Sequence, residues 1–301
     1  MSASCPSRSL LGATGVAAGT AMLATRARGA TKAVLALAAV GAGAVAANEA
    51  IGKPIPVLRW SFLRLMLGIK KLTTDWQVGD GREEAAAEYV ARNARRGDAD
   101  DVIATIDRYC RTKSFLINVG DEKGEILDAA VRAVKPSFVL ELGTYVGYGA
   151  MRLARAAPDA RVVTVEFVPA NAAIARRIIE HAGLSDRITV VEGTLADGGK
   201  TLEHLRTVIG LGPGGLDAVF LDHAKDHYLS DLHHLEDNGW LHPGTVVVAD
   251  NIRFPGAPDY RAYMQEQQGL RWRTVEHETH AEYQSLIKDL VLESSYLGPG
   301  Q

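Results

Sequence analysis

Between residues 80 and 251, short apolar runs alternate with longer stretches whose apolar positions recur every three or four residues. The short runs, 138–142, 161–167, 188–192, 217–222 and 245–250, have the length and β-branched content of buried strands. Stretches 151–157, 169–182, 197–209 and 228–238 lie between them and read as helices. Strands alternating with helices build βαβ crossovers, so the pattern predicts an α/β fold with a mostly parallel sheet and helices on both faces. Three more helices precede the first strand. One covers 82–96 and stops at Gly97. The next opens with Asp98, Asp100 and Asp101, where acids complement the helix dipole, and the third covers 124–134, ahead of Pro136. After Asn251 the rhythm changes. A helix at 259–268 is followed by two runs, 272–278 and 285–293, with no helix between them. An antiparallel pair at the C-terminal edge of a seven-stranded sheet fits that spacing, and one domain, 79–301, contains it all.

Upstream, residues 1–78 follow a different pattern. Residues 9–25 form a run of 17 uncharged residues and 33–48 a second of 16, each just short of the ~18–20 apolar residues of a membrane-spanning helix. Both are rich in Ala and Gly. Residues 57–69 then hold nine large apolar residues with Arg59 and Arg64, and Lys70 and Lys71 follow. That mixture suits a helix lying on a membrane surface with its arginine heads raised to the headgroups. The segment is therefore expected to attach the chain to a membrane. The serines at 2, 4, 7 and 9, with no acid before Glu49, also suit a cleaved organelle-targeting peptide. A third reading is an Ala-rich helix packed on protein.

Charge narrows the function. The chain of 301 residues has a net charge of −3, but residues 1–48 hold four basic residues and no acid. The remainder has 29 basic against 36 acidic residues, a net −7. An acidic body excludes a nucleic-acid binder, which needs a basic face. Two cysteines, Cys5 and Cys110, provide neither a disulfide framework nor a metal-binding spacing.

Candidate chemistry sits at strand ends, where sheets of this kind bind ligands. The first strand runs into Glu141, Gly143, Tyr145, Gly147 and Gly149. This is not the dinucleotide fingerprint, and Glu141 would repel a pyrophosphate. Glu166, 23 residues after Gly143, stands where an acid can hold ribose hydroxyls. Together they suggest a nucleoside without phosphates, which points to S-adenosylmethionine and away from a nicotinamide dehydrogenase. The fourth strand ends at Asp222 and the fifth at Asp250 and Asn251, three oxygen donors that suit Mg²⁺. His223 suits hard-metal ligation poorly and is expected to stack on adenine. Lys225 is the candidate base, given a nearby cation to lower its pKa. His233 and His234 read as solvated.

These residues resemble the catechol O-methyltransferase family from about Gly79 to Pro299. Asn118-Val119-Gly120-Asp121, with Lys123-Gly124, is similar to its cofactor-lid segment. Glu141 to Tyr148 is similar to its glycine loop, Glu166 to its ribose acid, and Phe220 to Asp226 with Ala249 to Asn251 to its metal and base segments. The resemblance implies a Rossmann-like S-adenosylmethionine-dependent methyltransferase fold. It also implies Mg²⁺-dependent methylation of one hydroxyl of a small catechol. The cofactor would lie on Val119, Glu141, Gly143, Tyr145, Gly149, Glu166, Asp222 and His223. Asp222, Asp250 and Asn251 would hold Mg²⁺. Lys225, Asn251 and Glu282 would meet the substrate, with Lys225 and Glu282 catalytic and Phe115 and Pro255 as walls. The family's membrane-bound form also carries an N-terminal anchor. Departures are Ala224 and Phe115 at tryptophan positions, Gly149 and Leu195 where cofactor hydrogen bonds are usual, and Arg253 at an aliphatic position. They imply a wider, more positive pocket. Methylation of other phenols, including a caffeoyl-coenzyme A type, and a membrane-tethered chaperone or trafficking factor that retains the fold are the alternatives. No basic cluster for coenzyme A phosphates is evident.

Overall fold

The computed structural model describes residues 30–51, 55, 58–68 and 80–300. They divide into two compact units. One runs to Arg82 and includes Arg111–Phe115; the other holds Glu83–Cys110 and the chain from Leu116 onward.

In the smaller unit the second Ala-rich run lies in helix α1 (Ala30–Ala50), and the apolar-basic stretch contributes α2 (Trp60–Leu67). Glu49 accepts the Trp60 backbone N–H at 2.7 Å, a side-chain partner for one of the donors left open at the start of α2. The amide of Asn48 both donates to and accepts from the backbone of Ile55. Arg59 is buried, and Arg64 pairs with Asp80 at 3.3 Å. Arg59 therefore turns to protein, not outward as the headgroup expectation had it, while Arg64 stays partly exposed beside Asp80. No helix among the described residues is long and apolar enough to cross a membrane. The first uncharged run, the N-terminal serines and Lys70 and Lys71 fall outside the described residues.

In the larger unit the five apolar runs become β1 (Phe138–Leu142), β2 (Arg161–Glu166), β3 (Ile188–Glu192), β4 (Leu216–Leu221) and β5 (Leu241–Ala249). They pair in parallel in the order β3-β2-β1-β4-β5. Successive side chains of a strand face opposite ways, and here both faces find apolar cover. Val139 and Val162 enter one core, Leu140, Leu142, Val163 and Val165 the other. The first core is closed by α3 (Arg82–Asn93), α4 (Ala99–Thr112), α5 (Gly120–Val134), α6 (Tyr148–Ala156) and α7 (Pro169–His181). They contribute Val90, Ile106, Leu127, Leu153 and Ile178. The second is closed by α8 (Lys200–Thr207), α9 (Tyr228–Asp237) and α10 (Pro258–Glu266) through Leu205, Leu232 and Met264.

The antiparallel edge is β6 (Trp272–His280) with β7 (Lys288–Tyr296), and β7 inserts between β5 and β6. Several boundaries differ from the sequence expectation, and three of them have a visible partner. The last strand starts at Lys288 and not at 285, because the Gln284 amide closes the preceding turn. Its Oε1 accepts from Leu286 and Ile287 N–H, and its Nε2 donates to Ala281 O. The fifth strand starts at Leu241, paired with Leu216, four residues early. Helix α8 is shorter than 197–209, since Asp197 accepts the backbone N–H and hydroxyl of Thr201 instead of joining the helix. This is the Rossmann-like α/β fold that the sequence pattern predicts: a mostly parallel seven-stranded sheet, helices on both faces, antiparallel at its C-terminal edge.

Candidate active site

The order β2-β1-β4 puts a crevice at the C-terminal ends of β1 and β4, where the direction of strand succession reverses. Gly143 leaves β1 at φ 101°, and a Cβ there would collide with the backbone carbonyl of Asp222 at the end of β4. The two strand ends approach so closely that only glycine fits. Tyr145, itself at φ 49°, donates its backbone N–H to Glu166 Oε2 at 2.7 Å, and Val168 N–H donates to Oε1 at 2.8 Å. Burial raises the Glu166 pKa against those N–H groups. Glu141 is fully buried, with Oε2 taking the Thr164 hydroxyl at 2.5 Å. Its Oε1 occupies the space that a Cβ at Gly149 would need. Gly149 thus makes room for this carboxylate. Burial, then the charges of Asp222 and Glu166, push the Glu141 pKa well above the carboxylate range. A cation brought beside it would relieve that cost. The Tyr145 hydroxyl donates to Glu83 at 2.9 Å. Val119 and Leu195 bury their side chains in the two cores. His223 lies against Tyr228, ring centroids 5.0 Å apart, with Nε2 on Asp231 at 2.9 Å. Burial lowers its pKa, and its Nδ1 is buried without a partner.

Beyond β4 and β5 the acids gather around a lysine. Lys123, on the buried face of α5 with Leu127 and Val131, places Nζ 2.5 Å from Glu282 Oε1, 2.7 Å from Asp250 Oδ1 and 3.2 Å from Asp289 Oδ2. Burial alone would lower its pKa; the three carboxylates outweigh it and keep the ammonium charged. Asn251 takes the left-handed conformation, φ 57°, open to Asn at small cost. Its Nδ2 then reaches Glu282 Oε1 at 3.1 Å and Asp289 Oδ2 at 3.0 Å. Asp289 Oδ1 accepts the backbone N–H groups of Arg253, Phe254 and Leu290. Burial would raise Asp289, but Lys123 and those N–H groups hold it low. Asp250 is fully buried and pushed up to about 7, burial being the largest cause. Its Oδ1 serves Lys123 and the Asn251 N–H, while its Oδ2 is buried with no donor. Lys225 Nζ sits 2.9 Å from Asp222 Oδ1 and 2.7 Å from the Tyr228 hydroxyl. That hydroxyl bonds in turn to the carbonyls of Leu221 and Asp250, locking the ends of β4 and β5 together.

Among the described residues there is no group of three or more His, Cys, Asp or Glu arranged to hold a metal. The expected donor set is instead two carboxylates and an amide, and the orphaned Asp250 Oδ2 fits a cation. A buried carboxylate oxygen left without a partner costs ~1–3 kcal/mol or more, which a cation would recover. Pro255 is exposed in the turn Ile252–Gly256 that follows Asn251. Phe115 belongs to the smaller unit and packs edge-on against Phe62 at 5.6 Å. Arg253 forms two 2.7 Å bonds to Glu278, so its charge is matched and does not make a pocket more positive. Sequence reasoning left out Lys123, Asp289 and Tyr228 as site residues. Their traces in the sequence are a lysine on the apolar stripe of α5 and an aspartate directly before the apolar start of β7, and neither names its partner.

Residues 101–271 match the family model described as O-methyltransferase. The chain is 62% identical over 231 residues to a probable O-methyltransferase of Mycobacterium tuberculosis, covering 77% of this chain and 99% of the relative. It is 42% identical over 218 residues to catechol O-methyltransferase B of Danio rerio, covering 72% and 80%. The solved O-methyltransferase from Bacillus cereus in complex with SAH shares the fold, with TM-score 0.51 and 22% identity over 77% of this chain and 97% of that one. By family match over more than half its length, and by relatives that include a catechol O-methyltransferase, this chain belongs to the O-methyltransferase family.

Proposed function

We propose that the protein transfers a methyl group from S-adenosylmethionine to one hydroxyl of a catechol-type small molecule, with Mg²⁺ held by Asp222, Asp250 and Asn251. The observation that carries the metal is the buried, donorless Asp250 Oδ2 beside a second strand-end carboxylate. Mg²⁺, when bound, would lower the pKa of a hydroxyl and help it lose its proton near neutrality. The other roles fall to this chain. Glu141 offers a buried carboxylate to the cationic part of the cofactor. Glu166 keeps lone pairs for ribose hydroxyls while the N–H groups of Tyr145 and Val168 hold it still. Lys225 Nζ, tethered by Asp222 and Tyr228, would take the proton of the reacting hydroxyl when it is the neutral amine. Glu282, with Oε1 engaged by Lys123 and Asn251, turns Oε2 to the second hydroxyl. Holding both reactants in place can itself remove ~7–11 kcal/mol of barrier.

One observation favours a second reading, methylation of simple phenols without a metal: Lys123 already places a positive charge 2.7 Å from Asp250. The smaller unit is read as a peripheral membrane attachment, with Leu67, Ile51 and Val40 at 75%, 72% and 71% exposure. Labelled S-adenosylmethionine offered with a panel of catechols, in Mg²⁺ or in chelator, separates the readings. Transfer that stops in chelator and falls by ~100-fold or more in Lys225→Met is expected. Transfer indifferent to chelator selects the metal-free reading. Cofactor binding without transfer to any diphenol would point to a tethered, non-catalytic role.

A further inference from the structure

Next to Glu282, Tyr283 rests at φ 55°, a conformation that a bulky side chain seldom adopts unless its surroundings enforce it. The enforcement is visible. Its hydroxyl donates to Asp107 Oδ1 at 2.8 Å and accepts from Asn118 Nδ2 at 2.8 Å. Tyr148, the first residue of α6, donates its own hydroxyl to the same Asp107 oxygen at 2.8 Å and accepts from Arg152 at 3.1 Å. Arg152 is in turn fixed by Asp128. One carboxylate on α4 thus collects the turn carrying Glu282, the glycine-loop helix and the segment before α5. The first residue of α5 also packs on the turn directly: a Cβ at Gly120 would lie 3.5 Å from Glu282 Cβ and 3.7 Å from Tyr283 Cζ. Burial keeps the Tyr283 phenol protonated, as a donor to Asp107 must be.

We infer that Tyr283, anchored on Asp107 and Asn118, is a positioning residue that fixes where Glu282 stands, and so decides which hydroxyl of an unsymmetrical catechol is methylated. The selectivity part rests on the proposed meeting of Glu282 with the second hydroxyl. The anchoring part does not. The Tyr283 hydroxyl is engaged by Asp107 and Asn118, and the residue acts through its neighbour. Removing its hydroxyl frees the 281–284 turn to relax out of the left-handed conformation, and Glu282 then holds either hydroxyl.

Tyr283→Phe keeps the ring and deletes the anchor. The ratio of the two monomethyl products from an unsymmetrical catechol is expected to move toward unity by ~3-fold or more. The acceptor KM should rise up to ~10-fold, the worth of about one hydrogen bond, while the cofactor KM stays within ~2-fold. Amide hydrogen exchange across 281–284, read without ligands, should quicken. Asp107→Ala should reproduce these changes, and Asp107→Asn, which keeps an acceptor oxygen, should restore most of the product ratio. An unchanged product ratio with unchanged exchange in Tyr283→Phe overturns the inference. Quickened exchange in a protein that methylates no catechol upholds the anchor and sinks the acceptor reading.

Discussion

At Gly143 a single hydrogen in place of a side chain lets β1 and β4 end within contact of each other. Its φ of 101° and the Asp222 carbonyl both stand against any Cβ, and neither can yield, since both belong to backbone. Gly143→Ala is therefore expected to lose cofactor affinity by ~100-fold or more while retaining helical content, because the strain of ~1–3 kcal/mol falls on the loop and not the cores. Calorimetric titration with S-adenosylmethionine beside circular dichroism checks this; near-native affinity would refute it. At this scale the sequence was readable where a residue type was out of place for its strand. Asp222, Asp250 and Glu166 each end an apolar run, so each is conspicuous. Lys123 and Asp289 escaped because their partners are remote: the ion pair joins positions 166 residues apart, and charge on an apolar stripe has no meaning until the stripe's neighbour is known.

Elements show the same division. The five parallel strands were legible because burial on both faces demands unbroken apolar runs, whereas the end of the C-terminal hairpin was not. Ser294 and Ser295 lie beyond the expected 285–293 strand, yet they pair with Thr274 and Arg273, and the side chain of Gln284 sets the turn. Asp217 in β4 does comparable work at the other end of the sheet. It accepts the backbone N–H groups of Ser137 and Phe138 that lead into β1, and bonds His242 at 3.1 Å. Burial works to raise its pKa, but the N–H groups and His242 lower it below the usual value. A group whose folded pKa is depressed contributes stability above its unfolded value of ~3.9 and loses it as pH falls through the folded value. Urea unfolding of wild type and Asp217→Asn should differ by ~1 kcal/mol near pH 7, and the gap should close below pH ~4. A gap that widens on acidification would contradict this.

For the molecule as a whole, charge balance at the strand ends dictates a response to ions. Asp222, Asp250, Glu282 and Asp289 face Lys123 and Lys225, so the fully ionised cluster is two charges short of neutral. A divalent cation would close that deficit. Under the proposed chemistry, Mg²⁺ at ~100 times its dissociation constant should stabilise the native state by ~2.7 kcal/mol. The thermal midpoint should rise with MgCl₂, not with NaCl of equal ionic strength, and the rise should vanish in Asp250→Asn. Equal effects of the two salts would mean screening alone.

The seam between β1 and β4 has a consequence for how such a chain can change over time. Residues assigned to the methyl donor stand mostly on its β1–β2 side. Those assigned to the acceptor come from β4, β5 and the β6–β7 turn, near the end of the chain. A lineage can thus redraft its choice of acceptor mostly in the later half of the chain, except where Tyr283 and Tyr148 share Asp107 and bind the terminal hairpin to the donor side.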